Sequence, residues 1–556
     1  MRKNIDKVST YDEQTSVLIV GGGVVGLSLA LFLQHQQVSF ILVERHAGTS
    51  ILPRARGLHY RTLELYHEIG LDQQIYAAGA SVIKQGRFGG LRIGRTLIDS
   101  EEQPIAVRPN HPGGLLGQDA SPSFFCFCPQ DELEPILIKA AYERGGDLRF
   151  STAMTSFEQD EDGVTAIIIE RTSGGSRTIR AQYMVAADGA RSPIRTVLGI
   201  TTSGQGTIEH YLNIYFHADL SELVRDRTFS QCSIENTDVR GLFISINNTD
   251  RWAFHLKYDS TRGERAGDFP AERCLALLRK AIGVADITIE IKNIGPWEAA
   301  VQIADRYQSG RVHLIGDAAH LMPPWGGHGA NTGIADAHNL AWKLAAVLKG
   351  QAAPALLATC IEERRPVAKM AAEQAALGTD IYTRYGIVTN DNVELLKQRI
   401  NPFLLILGYH YHSQSILEEA GNIVFGEDTL SGQPGTRVPH IWFEHKDQKF
   451  STLDLLGKHF VLFTTAGEEG NVWCEAAQAA AKQLSLRLDM YRIGPDGDLS
   501  DPDGRWLAAI HGQSDNILLV RPDGFVAWRG HRGEVVSAAA FERIFKHILG
   551  FELTEA

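Results

Sequence analysis

Cysteine and long apolar runs are scarce in this chain. Only six cysteines occur among 556 residues, and the pair Cys126 and Cys128 has the wrong spacing for a usual zinc or redox motif. We therefore expect free thiols in a reducing compartment, and no metal site. Residues 1–14 are polar and the first apolar run is broken by glycines, so we expect neither a signal peptide nor a membrane span. A cytoplasmic location is the resulting prediction.

Basic residues are fewer than acidic ones, 54 against 66. The net charge is −12 and no basic stripe is present that could neutralise phosphates, which argues against nucleic acid as a partner. The hydrophobic fraction of 44% is ordinary for a globular protein. At this length the chain has room for about three domains.

A glycine-rich turn lies between an apolar strand and an apolar helix near the start of the chain. The motif GGGVVG at residues 21–26 follows the apolar run 17–20 and precedes a helix over 27–33. Gly21 permits the tight turn and Gly23 lets a pyrophosphate approach the backbone, while Gly26 lets helix and strand pack closely. The pattern predicts dinucleotide binding.

Carboxylates follow three of the predicted strands. Glu44 comes after the run 40–43, where an acidic residue is expected to bind a ribose hydroxyl. Asp188 and Asp317 end two later apolar runs in the same way. Ligands of α/β folds collect at the carboxyl edge of the sheet, so we expect all three carboxylates there.

The segment after Asp317 combines a flexible loop with a helix. The loop Pro323–Gly329 is rich in proline and glycine, and apolar residues then recur at helical spacing as far as Leu348. A helix N-terminus that points back at the strand tip would stabilise negative charge. This geometry suits a cofactor with a ribityl chain and a ring that becomes anionic. Arg54 and Arg56 could face phosphates or lie on a solvated helix face, and both readings stay open.

The remaining chain divides into further units. Strands are predicted at 211–216, 242–246, 252–258 and 287–291, which favours a mostly antiparallel sheet inserted into the dinucleotide domain. Residues 351–425 are predicted to be largely helical. The order β-α-β, β-hairpin, α after residue 450 resembles a thioredoxin-like fold. Trp473-Cys474 stands where thioredoxin has its redox motif, but no second cysteine follows within three residues. We therefore expect a structural or oligomerisation role there.

The predicted fold class is α/β, with five units in the chain. They are a disordered lead (1–14), a discontinuous Rossmann-like domain (15–80, 126–206 and 301–350), an inserted β-sheet substrate domain (81–125 and 207–300), a helical segment and linker (351–449) and a thioredoxin-like domain (450–556).

Three motifs in order resemble the class A, single-component flavoprotein monooxygenases with the para-hydroxybenzoate hydroxylase fold. GGGVVG with Glu44-Arg45 resembles the FAD adenosine site, and residues 187–192 (ADGARS) resemble the family's DG motif. Residues 316–320 (GDAAH) resemble its GD motif, in which Asp317 would bind the ribityl chain. The C-terminal domain and the run Pro434–His440 are most similar to the aromatic polyketide hydroxylase and phenol hydroxylase branch.

The resemblance implies a set of FAD-binding residues: Gly21, Gly23, Val25, Gly26, Glu44, Arg45, Arg54, Gln130, Asp188, Gly316, Asp317, Pro324, Gly327, Gly329, Ala330 and Asn331. Trp325 and His328 stand in the loop where relatives are expected to have smaller or apolar residues. They and the aromatic residues of the inserted sheet are candidates for the substrate pocket: Trp325, His328, Tyr215, Trp252, His255 and Trp297. No catalytic base is identified.

The resemblance further implies the chemistry. NADPH or NADH would reduce FAD, and O₂ would then give a C4a-hydroperoxyflavin that hydroxylates a phenolic or polycyclic aromatic substrate. A Baeyer–Villiger oxygenase on the same scaffold and a FAD-bearing, non-catalytic binding protein remain as alternatives. The substrate, the choice of nicotinamide nucleotide and a homodimeric assembly stay open.

Overall fold

The computed structural model describes residues 11–82, 90–104, 120–417, 430–445, 448–510, 517–530 and 536–552. Up to residue 417 the strands are β1 (Glu13–Val20), β2 (Phe40–Val43), β3 (Gly57–Leu58), β4 (Gly90–Gly94), β5 (Glu101–Glu102), β6 (Cys126–Phe127), β7 (Asp147–Arg149), β8 (Thr152–Gln159), β9 (Val164–Glu170), β10 (Ser176–Ala186), β11 (Thr202–His217), β12 (Phe229–Glu235), β13 (Arg240–Ser245), β14 (Arg251–Tyr258), β15 (Glu290–Ala304), β16 (Gln308–Ser309), β17 (Val312–Leu314) and β18 (His320–Leu321). The helices of the same part are α1 (Val24–His35), α2 (Tyr60–Glu68), α3 (Asp72–Val82), α4 (Gln130–Glu143), α5 (Pro193–Val197), α6 (Ser221–Val224), α7 (Ala271–Ile282), α8 (His328–Leu348), α9 (Thr359–Leu377), α10 (Ile381–Tyr385), α11 (Val393–Lys397) and α12 (Pro402–Leu407).

Parallel strands form the centre of the first sheet. β1 pairs in parallel with β2 on one side and with β10 on the other, and β7 and β17 extend the two edges in parallel. Val17, Leu18 and Ile19 are fully buried, because helices cover one face of β1 and a second layer of strands and helices covers the other. The carboxyl ends of these strands lie along one edge, where the predicted ligand segments meet.

The second sheet has the strand order β18-β15-β11-β14-β13-β12-β4-β5. Its neighbours pair antiparallel except β12 with β4, which confirms the predicted mostly antiparallel insertion. One face packs on α7, and the other packs against the loop that precedes α8. The insertion therefore forms a wall opposite the first sheet's carboxyl edge.

The C-terminal domain contains β19 (Trp442–His445), β20 (Gln448–Ser451), β21 (Phe460–Thr465), α13 (Glu468–Gln483), β22 (Leu488–Ile493), α14 (Arg505–Ala509), β23 (Ile517–Val520), β24 (Val526–Gly530) and α15 (Ala538–Ile548). Its main sheet has the order β22-β21-β23-β24, with β21 parallel to β22 and antiparallel to β23. This is the predicted β-α-β unit followed by a hairpin and a helix. Cys474 is a free thiol, as are the other five cysteines.

Several predicted boundaries are wrong. β11 begins at Thr202 and β15 runs to Ala304, so limits at 207 and 300 cut through two strands that continue into the first domain. The predicted strand 287–291 overlaps only the first two residues of this much longer β15, which begins at Glu290. β1 begins at Glu13, inside the predicted lead, and residues 1–10 lie outside the described residues.

Two predicted segments are only partly described. Residues 83–89 and 105–119 of the predicted insertion 81–125 lie outside the described residues. The predicted helical segment 351–425 is helical only as far as Leu407, since residues 408–417 form no helix, and 418–429 are not described. Among the described residues, no helix is long and apolar enough to cross a bilayer.

Candidate functional site

The glycine turn after β1 is tightly constrained. Gly21 has φ +114°, and a Cβ there would lie 2.2 Å from the carbonyl oxygen of Ala187. A Cβ on Gly26 would lie 2.0 Å from the carbonyl oxygen of Gly21. A Cβ on Gly23 would meet nothing closer than 3.8 Å, so the first turn of α1 is open to a ligand. Each of the three glycines thus has the surroundings that its predicted role requires.

Val25 joins the two halves of the site. It lies in the first turn of α1, and Cβ atoms on Gly316 and Gly333 would lie 3.0 Å and 2.6 Å from its Cγ2. The Gly316–Asp317 turn and α8 can approach α1 this closely because both positions lack a side chain. Two segments far apart in sequence therefore meet at one valine.

Glu44 lies at the tip of β2, as predicted. Its carboxylate accepts hydrogen bonds from the backbone N–H of Gly22 at 2.7 Å and of His46 at 2.8 Å. These bonds hold Glu44 across the glycine turn. Its Oε1 also lies 2.6 Å from His46 Nδ1, so Oε2 is the oxygen that keeps a lone pair for a ribose hydroxyl. Arg45 next to it is exposed, and its backbone carbonyl accepts a hydrogen bond from Arg171.

Asp317 lies just beyond the tip of β17 with its side chain accessible to solvent. Surrounding protein atoms raise the pKa of its carboxyl, and His320 and Arg54 offset part of that effect. Arg54 is also tied to the start of α4, because the backbone N–H of Gln130 donates to its carbonyl at 2.9 Å. The structure thus brings Asp317, Arg54 and Gln130 to one cleft.

Glu134 belongs to this cleft but is not among the predicted FAD-binding residues. Its carboxylate is buried, accepts from the Gln130 side chain at 2.6 Å and from the Ser50 N–H at 2.8 Å, and lies closest to the open space at Gly23. Burial raises its pKa. Its position, four residues after Gln130 on the same helix face, is the signal that could have identified it.

Asp188 follows β10 at the same edge. One oxygen accepts from the N–H of Ile194 at 3.3 Å, while Oδ1 is buried without a partner among the described residues. Burial raises the pKa of this carboxyl. An unpartnered buried acceptor at the sheet edge is consistent with the predicted ligand contact.

The loop before α8 is held by Asn331. Its side-chain amide donates to the carbonyls of Gly57 and Gly327, and its oxygen accepts from the N–H of His59 and the hydroxyl of Thr62. All polar groups of this side chain are thereby used, so any cofactor contact of Asn331 falls to its backbone. The residues of this segment that are predicted to contact FAD lie in the loop or in the first turn of α8: Pro324, Gly327, Gly329 and Ala330.

The face of the second sheet that packs against the loop before α8 is lined with aromatic rings. Tyr211 stacks on Trp297 at a centroid distance of 4.6 Å, and Trp325 from the loop packs against both at 5.9 Å and 6.1 Å. Tyr215 belongs to the same buried cluster, and the His255 ring lies 5.1 Å from Trp297. Four of the six predicted pocket residues therefore share one wall.

His328 and Trp252 differ from that group. His328 packs against His59 at 5.2 Å, beside the loop rather than in the aromatic cluster. Trp252 is wrong as a pocket residue, because its indole is fully buried on the opposite face of the sheet, where Nε1 donates to the Ala218 carbonyl at 3.0 Å.

Buried polar atoms on the aromatic wall lack partners. Among the described residues, no hydrogen-bond acceptor meets Trp297 Nε1 or Trp325 Nε1, and neither His255 Nδ1 nor Asn213 Oδ1 is paired. Burial lowers the pKa of His255 to about 3, so its imidazole is neutral near pH 7. The wall thus offers indole donors and a neutral imidazole to a bound molecule.

Arg384 of α10 places a cation on this wall. Its guanidinium lies 3.8 Å from the centroid of Trp325 and donates to the Gly378 carbonyl and to the Gln231 side chain. Burial lowers its pKa to about 10. No carboxylate of the described residues forms an ion pair with it, and sequence reasoning missed it because α10 is a short helix far from every motif.

Comparison with known proteins identifies the family. Residues 14–375 match the FAD binding domain family, and residues 431–551 match the C-terminal domain of aromatic-ring hydroxylases. The chain belongs to the FAD-dependent aromatic-ring hydroxylases. It is 40% identical to tetracenomycin A2 monooxygenase-dioxygenase of Streptomyces glaucescens, over 97% of this chain and 98% of that one. It is also 40% identical to 4-methyl-5-nitrocatechol 5-monooxygenase of a Burkholderia species, over 93% and 94% of the two chains.

Solved structures of this hydroxylase family have the same fold. The crystal structure of aklavinone-11 hydroxylase with FAD and aklavinone superimposes with a TM-score of 0.84 at 33% identity, over 97% of this chain and 99% of that one. The predicted class A monooxygenase family, its fold class and its FAD cofactor are confirmed. The protein is a FAD-dependent monooxygenase.

The residues of this hydroxylase fit FAD. The two glycine positions that a Cβ would block, the open first turn of α1, the accessible Asp317 and the unpartnered Asp188 oxygen lie along one sheet edge. We expect Glu44 to hold the ribose, the first turn of α1 the pyrophosphate and Asp317 the ribityl chain.

Buried neutral histidines should make the hydroxylase sensitive to acid. Burial lowers the pKa of His313 on β17 to about 4, whereas the unfolded value is about 6.5. The unfolded state therefore binds a proton first as pH falls below 6.5, and stability is lost between 6.5 and 4. In His313→Leu, we expect the loss of unfolding free energy between pH 8 and pH 5 to shrink by about 2 kcal/mol. Urea unfolding at both pH values measures it, and an unchanged loss would contradict a neutral His313.

Proposed function

We propose that this protein is an NAD(P)H- and O₂-dependent hydroxylase of a phenolic or polycyclic aromatic compound. The observation that carries the proposal is the aromatic wall, in which Trp325 of the loop beside the FAD site packs with Tyr211 and Trp297 of the inserted sheet. Relatives are named as monooxygenases or hydroxylases of tetracenomycin A2, 4-methyl-5-nitrocatechol and aklavinone. An aromatic wall beside a FAD site suits the same class.

When bound and reduced, FAD would supply the activation of O₂ that transfer of one oxygen atom to an electron-rich ring carbon requires. The chain supplies the surroundings for that transfer. Tyr211 and Trp325 are at most 7% exposed, so the wall excludes water. Water there would otherwise consume the oxidising equivalents without hydroxylation of the substrate. The stacked rings orient a flat substrate by the same offset geometry in which they pack on one another.

Arg384 and His255 give this wall a preference for acidic aromatics. The guanidinium of Arg384 favours the anionic form of a phenol, and the neutral His255 ring accepts or donates one hydrogen bond without adding a charge. Both side chains would interact with the phenolic oxygen, which is the substituent that makes a ring carbon electron-rich. We therefore favour phenols over unsubstituted aromatic hydrocarbons.

The experiment that tests the function is NADPH and NADH oxidation with and without a panel of mono- and polycyclic phenols. We expect at least one phenol to stimulate oxidation strongly and to gain one oxygen atom on its ring, as read by mass spectrometry. Oxygen inserted beside a carbonyl would instead indicate a Baeyer–Villiger oxygenase. A panel-wide failure to stimulate oxidation by fully FAD-loaded protein would support the non-catalytic alternative.

Arg384→Gln should weaken substrate binding more than turnover. Losing one charge-assisted hydrogen bond of about 1.5 kcal/mol raises KM for a phenol about tenfold, with a smaller change in kcat. Steady-state kinetics on a stimulating phenol measure both constants. Arg225→Gln is the matched control, because among the described residues the one ion-pair partner of Arg225 is the exposed Glu222. A KM equal to that of the unmodified protein would contradict this role of Arg384.

A further inference from the structure

A buried carboxylate fixes the backbone that leads into Asp317. Asp336 of α8 accepts from the backbone N–H of Gly316 at 3.1 Å and from His320 Nε2 at 2.6 Å. Burial acts to raise its pKa, but His320 and Arg364 outweigh that effect and lower it to about 2. Asp336 is therefore ionised, and its charge holds the GD turn.

Arg364 of α9 extends this contact away from the FAD site. Its Nε donates to the other Asp336 oxygen at 2.8 Å, and its Nη2 donates to the Thr332 carbonyl at 3.2 Å. The third nitrogen, Nη1, donates to the hydroxyl of Tyr411 at 3.0 Å. The Tyr411 ring in turn stacks on Phe525 of the C-terminal domain at 4.0 Å.

The preceding residue on α9 is bound directly by the C-terminal domain. Glu363 accepts two hydrogen bonds from Arg521, at 2.6 Å and 2.9 Å, and one from Lys343 at 2.8 Å. Arg521 also pairs with Asp523, two residues along the turn that joins β23 to β24. All these side chains are at most 1% exposed.

These contacts form one continuous network of three cations and three carboxylates. Glu363 and Arg364 are adjacent on α9, so the C-terminal turn that fixes one also fixes the position of the other. Buried ions tolerate little displacement, because a lost partner leaves an uncompensated charge in a medium of low dielectric constant. A shift of the turn 521–525 would therefore move Arg364 relative to Asp336.

We propose that the C-terminal domain contributes to FAD binding. Its turn 521–525 sets FAD affinity through Tyr411, Arg364 and Asp336, which act as positioning residues for the Gly316–Asp317 backbone. This goes beyond the hydroxylase function, since it concerns FAD affinity alone and needs no substrate. It also gives this thioredoxin-like domain, which has no cysteine pair, a role.

The test measures FAD affinity and thermal stability in the full-length protein. Tyr411→Phe keeps the ring stacked on Phe525 and removes only the hydroxyl that accepts the hydrogen bond from Arg364 Nη1. We expect its Kd for FAD, from quenching of flavin fluorescence on reconstitution of the FAD-stripped protein, to rise about tenfold. Asp336→Asn should raise Kd by a similar factor, and the double variant should raise it by less than the product of the two because both act on one path.

A control separates positioning from general destabilisation. Phe545→Leu truncates a fully buried ring on α15, away from the network, and should lower Tm while leaving Kd for FAD unchanged at temperatures well below Tm. If Tyr411→Phe lowers Tm but binds FAD as tightly as the unmodified protein, the proposal is overturned. Should Tyr411→Phe fail to fold, Arg364→Lys keeps the charge and loses the forked contacts, and unchanged FAD affinity in that variant would overturn it equally.

Discussion

Gly26→Ala is expected to abolish stable FAD binding. The new methyl group would lie 2.0 Å from the Gly21 carbonyl oxygen, a backbone atom that cannot rotate away. The first turn of α1 must then move off β1, and its N–H groups leave the position in which they bind a pyrophosphate. Losing two charge-assisted hydrogen bonds of about 1.5 kcal/mol each raises Kd for FAD on the order of a hundredfold.

Flavin absorbance after purification, followed by titration of the stripped protein with FAD, measures this effect. Gly267→Ala is the matched control, because a Cβ there meets nothing within 4 Å and the residue is exposed in a short 3₁₀ helix of the inserted domain. We expect the control to purify yellow. A yellow Gly26→Ala protein with ordinary affinity would show that α1 does not need its close approach to β1.

The FAD half of the site was predictable because its chemistry is encoded locally. A turn that must approach a phosphate requires glycines at fixed spacing, and each lies within six residues of the strand it follows. Strand tips of a parallel sheet converge whatever the distance between them in sequence. Glu44, Asp188 and Asp317 could therefore be placed at one edge from the sequence alone.

The substrate wall was only half predictable. Trp252 and His255 lie three residues apart on β14, and an odd separation places two side chains on opposite faces of a strand. The two side chains therefore could not both line one pocket, and this could have been predicted from their spacing in the sequence. Which of them faces the pocket could not be predicted, because it depends on strand register: the pairing of Tyr215 with Ala253 puts the His255 side on the pocket face.

The buried ion network was not predictable from sequence pattern. Glu363 and Arg364 stand in a run of charged residues within the predicted helical segment, and such residues are mostly exposed. Glu363 is nevertheless fully buried, and its main partner is Arg521. A charge run near a proline carries no signal for burial, because burial depends on which domain docks against it. Contacts between residues so far apart in sequence are decided by tertiary packing alone.

Arg521→Met should destabilise the protein more than any surface charge change. It leaves Glu363 and Asp523 as neighbouring buried carboxylates with Lys343 as the remaining cation close to Glu363. Breaking a buried ion pair in this way costs about 3–5 kcal/mol of unfolding free energy. Equilibrium urea unfolding, followed by far-UV circular dichroism and by flavin fluorescence, measures it and shows whether both domains lose structure together.

Arg492→Met tests the opposite case within the same domain. Arg492 pairs with Asp498 at 3.0 Å, but both side chains are about one-third or more exposed, so its loss should leave the unfolding free energy nearly unchanged. The double variant Glu363→Met with Arg521→Met removes one charge of each sign and should lose less stability than Arg521→Met alone, because no second carboxylate is then left buried beside Asp523. If the double variant is instead the least stable of the three, the network stabilises the docked C-terminal domain through its hydrogen bonds rather than through balance of charge.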